Sequence, residues 1–139
     1  MAKFNAFTGR TSQSEAHLDS EARASYARMV TRLFAHWQLS ITDQLALLGL
    51  NEDRRSTLNR YQAGKPLANS RDLLERVVYL FDIHAQLRLI FNQNRNLAYG
   101  WMTAQIDDFS CLTPVEVVKQ YGIVGLNILS TYLNKVRGE

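Results

Sequence analysis

An all-α fold is predicted for this chain, and three features predict it. Apolar residues recur at intervals of three and four instead of alternating, which is the period of a helix with a buried stripe. Glycine follows two such stretches, in Leu47-Leu48-Gly49-Leu50 and in Gln120-Tyr121-Gly122. Glycine accepts the left-handed backbone that closes a helix. Thr113-Pro114-Val115-Glu116 is a complete start signal, with a threonine cap, proline at the first helical position and glutamate three residues after the cap. The expected architecture is a helix-turn-helix bundle followed by a small three-helix C-terminal domain.

The elements follow in order. Ser12-Gln13-Ser14-Glu15 reads as a capping box, while residues 4–10 before it carry no pattern and are expected to be mobile. From Glu21 the stripe Ala22, Tyr26, Met29, Val30, Leu33, Phe34 and Trp37 lines one face of a first long helix. Ser40 can cap a short second helix, Ile41 to Leu48, ended by Gly49. A third helix is expected to begin near Asn51 or Asp53, either of which could cap it, and to stop at Gly64-Lys65-Pro66. Asn69 or Ser70 then caps a strongly apolar stretch from Leu73 to Phe91, long enough for two helices with a break near Asp82. So many apolar positions require burial on more than one side. Asn92-Gln93-Asn94 is the best boundary between domains, being polar, uncharged and made of residues that leave helices easily. Leu97, Ala98 and Trp101 form a short helix face, the capped helix runs from Thr113 to about Tyr121, and a last helix from about Val124 shows Leu126, Leu129, Tyr132 and Leu133 at helical spacing.

Composition narrows the function classes. With 139 residues and 46% apolar content, the chain can bury one core or two small modules sharing an interface. The formal charge of +3 is unevenly placed, because from Asn94 onward Arg95, Lys119, Lys135 and Arg137 balance Asp107, Asp108, Glu116 and Glu139. The basic half lies upstream, where a polyanion would bind. Cys111 is the single cysteine, so an internal disulfide is excluded, and no Cys/His cluster has zinc spacing. No apolar run approaches the ~18 residues of a membrane span, and the opening residues do not form a signal peptide. A soluble, cytoplasmic setting with no membrane association is expected. No acid/base pair, nucleophile with its base, phosphate-binding glycine loop or metal set is visible, so an enzyme is not expected and no cofactor is assigned.

Between Asp53 and Asp72 there is no acidic residue, and within that gap lies Arg54-Arg55-Ser56-Thr57-Leu58-Asn59-Arg60-Tyr61-Gln62-Ala63-Gly64-Lys65. A helix in the major groove needs Lys or Arg for the phosphates and Asn, Gln, Ser, Thr or Arg for base edges. This stretch supplies both kinds. The candidate DNA-binding residues are Thr42, Gln44, Arg54, Arg55, Ser56, Thr57, Asn59, Arg60 and Lys65. The plain alternative is a solvated basic face on a small domain. His36 and His84 lack partners at ligand spacing and read as structural or surface residues, and Cys111 as a small buried or loop residue.

The order of these pieces resembles a known family. His36-Trp37-Gln38-Leu39-Ser40, then Leu47-Leu48-Gly49-Leu50, then Ser56-Thr57-Leu58-Asn59-Arg60-Tyr61 is similar to the Xre-type helix-turn-helix of the Xre/MbcA/ParS antitoxins. Asn96-Leu97-Ala98-Tyr99-Gly100-Trp101, followed by Asp108-Phe109-Ser110-Cys111-Leu112-Thr113-Pro114-Val115-Glu116 and a closing Gly122, resembles their toxin-binding domain. The likeness spans about Tyr26 to Arg137. Two departures stand out: Asn51 to Arg55 lengthen the segment between the turn glycine and the Ser-Thr pair, and in the tail Ala104-Gln105-Ile106 stands where a Pro-Asn pair is usual and Cys111 where a glycine is common.

The resemblance implies a division into a flexible segment (1–20), a helix-turn-helix domain (21–92) and a toxin-binding domain with its C-terminal tail (93–139). It implies an antitoxin whose partner is a cognate toxin, commonly of the RES class that destroys NAD, and which also binds double-stranded DNA of its own promoter as an autorepressor. The implied toxin-binding residues are Trp101, Phe109, Tyr132, Leu133, Lys135, Val136, Arg137, Gly138 and Glu139, with the tail from Lys135 entering the toxin cleft as a flexible segment. A homodimer is expected, since helix-turn-helix proteins commonly read paired half-sites. The alternative is a stand-alone dimeric regulator whose C-terminal domain only dimerises.

Overall fold

Asp19 begins the first helix, its carboxylate accepting the Ala22 N–H at 2.8 Å. Residues 18–138 are described by the computed structural model, and every regular element among them is helical. The capping box read at Ser12 to Glu15 and most of the expected N-terminal segment lie outside the described residues. Helix α1 (Ser20–His36) buries Ala27, Val30, Leu33 and Phe34. Met29, expected on that stripe, is 47% exposed, and Ala27 takes the inward position. The 3.6-residue period carries the line Ala27, Val30, Phe34, Trp37 inward and leaves Met29 about 100° away from it.

A left-handed Gln38 turns the chain into α2 (Ile41–Leu48). Ser40 Oγ accepts the Asp43 N–H at 3.1 Å, and Gly49 closes the helix at φ +74. Arg76 underlies that turn. Its guanidinium donates to the Leu47 carbonyl at 3.4 Å, and a Cβ on Gly49 would stand 2.7 Å from its Cζ.

Helix α3 (Arg55–Gln62) starts later than either expected cap allows. Residues 51–54 form an extra turn, closed by the Arg54 N–H donating to the Asn51 carbonyl at 3.0 Å, and no side chain caps the helix. The residues that lengthen this segment are absorbed by that turn. Gly64 ends α3 at φ +91, where the Lys65 N–H reaches back to the Arg60 carbonyl at 3.0 Å.

Helix α4 (Arg71–Ile90) is capped by Ser70 and runs unbroken for 20 residues, about 30 Å. The break that the sequence allows near Asp82 does not occur. Asp82 stays in the helix because its carboxylate accepts Gln86 Nε2 one turn on and Ser130 Oγ from the last helix, both at 2.8 Å. Asn94 caps the short α5 (Arg95–Gly100), and two 3-10 turns follow, Trp101–Thr103 and Asp107–Phe109. Thr113 and Glu116 close both halves of the capping box of α6 (Pro114–Tyr121), at 3.1 and 2.8 Å. Helix α7 (Ile123–Gly138) completes the described chain.

Helix α7 packs along α4 and against α6, and α6 in turn packs on α2. Contact between α6 and α7 is close: a Cβ on Gly125 would fall 2.7 Å from the Val117 carbonyl oxygen. Buried residues from Ala27 to Leu133, on both sides of Asn92-Gln93-Asn94 in the sequence, belong to one apolar cluster. Polar ties cross the same seam, with Asn127 Nδ2 donating to Tyr79 Oη at 2.9 Å.

Candidate nucleic-acid interface and C-terminal aromatic cluster

Helix α3 is anchored by one face and open on the other. Leu58, Tyr61 and Thr57 are buried, and the Tyr61 hydroxyl accepts the Ala68 N–H at 3.3 Å, tying down the loop after the helix. That anchoring turns Arg55, Ser56, Asn59 and Arg60 to solvent, with Arg54 and Lys65 exposed at the two ends. Among the described residues Arg55, Arg60 and Lys65 make no ion pair or side-chain hydrogen bond. Uncompensated cations beside amide and hydroxyl groups suit a phosphate backbone flanked by base edges.

Two of the expected DNA-binding residues are turned inward. Gln44 is 7% exposed and donates from Nε2 to the Leu39 carbonyl at 3.0 Å, so it braces the corner between α1 and α2. Thr57 is 4% exposed and accepts Arg54 Nε at 3.4 Å, which positions that arginine. Thr42 is exposed on the first turn of α2. Beside it lies a residue the sequence does not single out: Lys119 of α6 pairs with Asp43 at 2.6 Å. Nothing in the linear pattern links positions so far apart. Arg76 also escapes notice, although its i,i+4 spacing from Asp72 signals the ion pair at 3.0 Å that restrains it beneath Gly49.

In the C-terminal half Trp101, Phe109 and Tyr132 come together. Ring centroids are 6.4 Å apart for Trp101 and Phe109, 6.3 Å for Trp101 and Tyr132, and 4.9 Å for Phe109 and Tyr132. Tyr132 Oη meets Asp108 Oδ2 at 3.0 Å. Trp101 is 8% exposed and Leu133 2%, both part of the core, while Phe109 and Tyr132 are only partly buried. Lys135, Val136, Arg137 and Gly138 are exposed, and they form the last turn of α7 instead of the flexible tail expected from the sequence. Two causes favour helix here. The cations Lys135 and Arg137 complement the negative end of the helix dipole, and Arg137 Nη2 donates to Asn134 Oδ1 at 3.0 Å. Glu139 lies outside the described residues.

His36 stacks on Tyr99 with centroids 5.0 Å apart, and His84 lies parallel to the same ring at 6.3 Å. Burial, then the neighbouring Arg88 and His36, hold the His84 imidazole below its ordinary pKa. Cys111 is exposed in the left-handed turn before α6. Among the described residues no group of three His, Cys, Asp or Glu side chains could hold a metal ion, and no helix is long and apolar enough to cross a membrane.

Among the described residues the protein is all-helical, with a glycine-closed helix, a turn and a second helix whose outer face is cationic. Residues 16–82 match the family model of the antitoxin Xre-like helix-turn-helix domain, so this part of the chain is similar to that domain. The match ends within α4 and spans α1, α2 and α3. That family is a regulatory, DNA-binding one. No curated protein and no solved structure gives a significant match to the chain.

Proposed function

We propose that this protein is the antitoxin of a type II toxin-antitoxin pair, neutralising a cognate RES-class toxin through a C-terminal domain of the Xre/MbcA/ParS kind and binding its own promoter as a cytoplasmic autorepressor. The observation that carries the reading is the unpaired cationic face of α3 within an antitoxin helix-turn-helix domain. Arg54, Arg55, Arg60 and Lys65 would hold phosphates, while Ser56 and Asn59 meet base edges and Thr42 meets the backbone from α2. Gln44 and Thr57 act indirectly, by fixing the helix corner and Arg54. On the opposite duty, Phe109, Tyr132 and the last turn of α7 would cover the toxin's active site, with Trp101 and Leu133 as their support. A homodimer would place two α3 helices on successive half-sites about one helical turn apart.

Co-expression of the full chain with the product of the adjacent reading frame tests both duties. The expected result is a stable complex, rescue of growth from that product, and retardation of a fragment carrying the upstream sequence. Promoter binding without any rescue or complex would instead support the stand-alone dimeric regulator, and failure of all three would overturn the proposal.

A further inference from the structure

Where α4 turns into α5, Arg88, Phe91, Asn92, Arg95, Ala98 and Tyr99 line a recess of about 120 Å³. That volume suits one phosphoryl group and falls well below the roughly 300–1,000 Å³ that encloses a whole small-molecule ligand. Arg88 and Arg95 are exposed, and among the described residues neither makes an ion pair or a side-chain hydrogen bond. No acidic residue contributes to the lining. Two arginines in the lining of one recess, with no acidic residue beside them in that lining, favour an anion there. Arg88 also acts on a neighbour, since after burial it is the next cause holding the His84 imidazole below its ordinary pKa, ahead of His36.

We propose that this recess binds the phosphomonoester end of a small molecule, gripped by Arg88 and Arg95 and hydrogen-bonded by the Asn92 amide. Guanidinium forks match phosphate oxygens in pairs, whereas a single ammonium would not fix the orientation. Charge also selects a monoester. A terminal phosphate carries about −1.5 to −2 near neutral pH, balancing two arginines, while each phosphodiester of a duplex carries a single charge and is flanked by ester carbon on both sides. The rest of the ligand would lie outside the recess, against the parallel rings of Tyr99 and His36. The site is formed by α4, α5 and the turn between them, and it is independent of the α3 face.

Titration of the full-length protein with inorganic phosphate and with adenosine 5′-monophosphate, against chloride at constant ionic strength, tests the assignment by NMR of the His84, His36 and Tyr99 rings. Saturable shifts are expected for both phosphates and not for chloride, with the His84 titration moving upward as the bound dianion offsets Arg88. Replacement of both exposed arginines, Arg88→Ala with Arg95→Ala, should weaken phosphate binding at least about tenfold with unchanged melting temperature. Shifts reproduced by chloride, undiminished binding by the double variant, or displacement of the mononucleotide by random-sequence duplex DNA would each overturn it.

Discussion

Lys119 Nζ on α6 lies 2.6 Å from Asp43 Oδ1 on α2, so a charge of the C-terminal half is bonded to the first turn of the leading helix of the helix-turn-helix. Lys119 is 41% exposed and Asp43 22%, which makes the pair worth no more than about 1 kcal/mol of stability. Its electrostatic consequence is larger. If α2 meets the phosphate backbone through Thr42 as proposed, loss of Lys119 would leave the neighbouring Asp43 carboxylate uncompensated against it. Lys119→Ala should therefore weaken promoter binding several-fold, and adding Asp43→Asn should restore most of it. Affinities of the two single variants and the double variant, measured in one buffer, provide the check; an unaffected Lys119→Ala variant would separate α6 from the DNA face.

Close approach of α6 and α7 depends on Gly125, where a Cβ would meet the Val117 carbonyl at 2.7 Å. Backbone cannot yield as a side-chain tip does, so Gly125→Ala should cost about 1–3 kcal/mol. Gly49→Ala should cost about 1–2 kcal/mol, because alanine resists its left-handed backbone. Gly100 has open space around it and should tolerate alanine within about 0.5 kcal/mol. Urea unfolding of the three variants should rank them in that way.

The His84 imidazole is held below its ordinary pKa, first by burial and then by Arg88 and His36. The unfolded chain consequently takes up a proton at higher pH than the folded one. The stabilisation is complete above the ordinary imidazole pKa of about 6.5 and is lost as pH falls through the lowered folded value. Unfolding free energy should decline on acidification across that window, and His84→Asn should flatten the decline. A wild-type profile that rises on acidification would contradict the sign.

At the C-terminal end, surface and core separate cleanly. Alanine at Lys135, Val136 and Arg137 together should leave stability within about 1 kcal/mol, since all three are exposed, yet it should abolish toxin neutralisation. Leu133→Ala removes a buried side chain and should cost about 2–5 kcal/mol, reducing neutralisation only through loss of folded protein. Thermal melts beside growth-rescue assays distinguish the two.

Much of this arrangement is legible in the chain because its signals are local. Ser40, Gly49 and the Thr113 capping box announce their helix ends through hydrogen bonds spanning three or four residues, and each end lies where those residues put it. The start of α3 is illegible for the opposite reason: Asn51 and Asp53 both have the chemistry of a cap, and a backbone turn to Arg54 displaces them. Continuity at Asp82 depends on Ser130, and the inward turn of Gln44 on the Leu39 carbonyl. Periodicity cannot report partners of that kind. Composition marks α3 as cationic, but only packing of Leu58 and Tyr61 decides which of its polar side chains remain outside.

The salt dependence of promoter binding tests the central claim most directly. Alanine at Arg54, Arg55 and Arg60 should lower affinity and reduce the slope of log K against log salt by roughly one for each phosphate contact removed. A triple variant that retains the wild-type slope would contradict the assignment of α3 as the DNA-contacting helix.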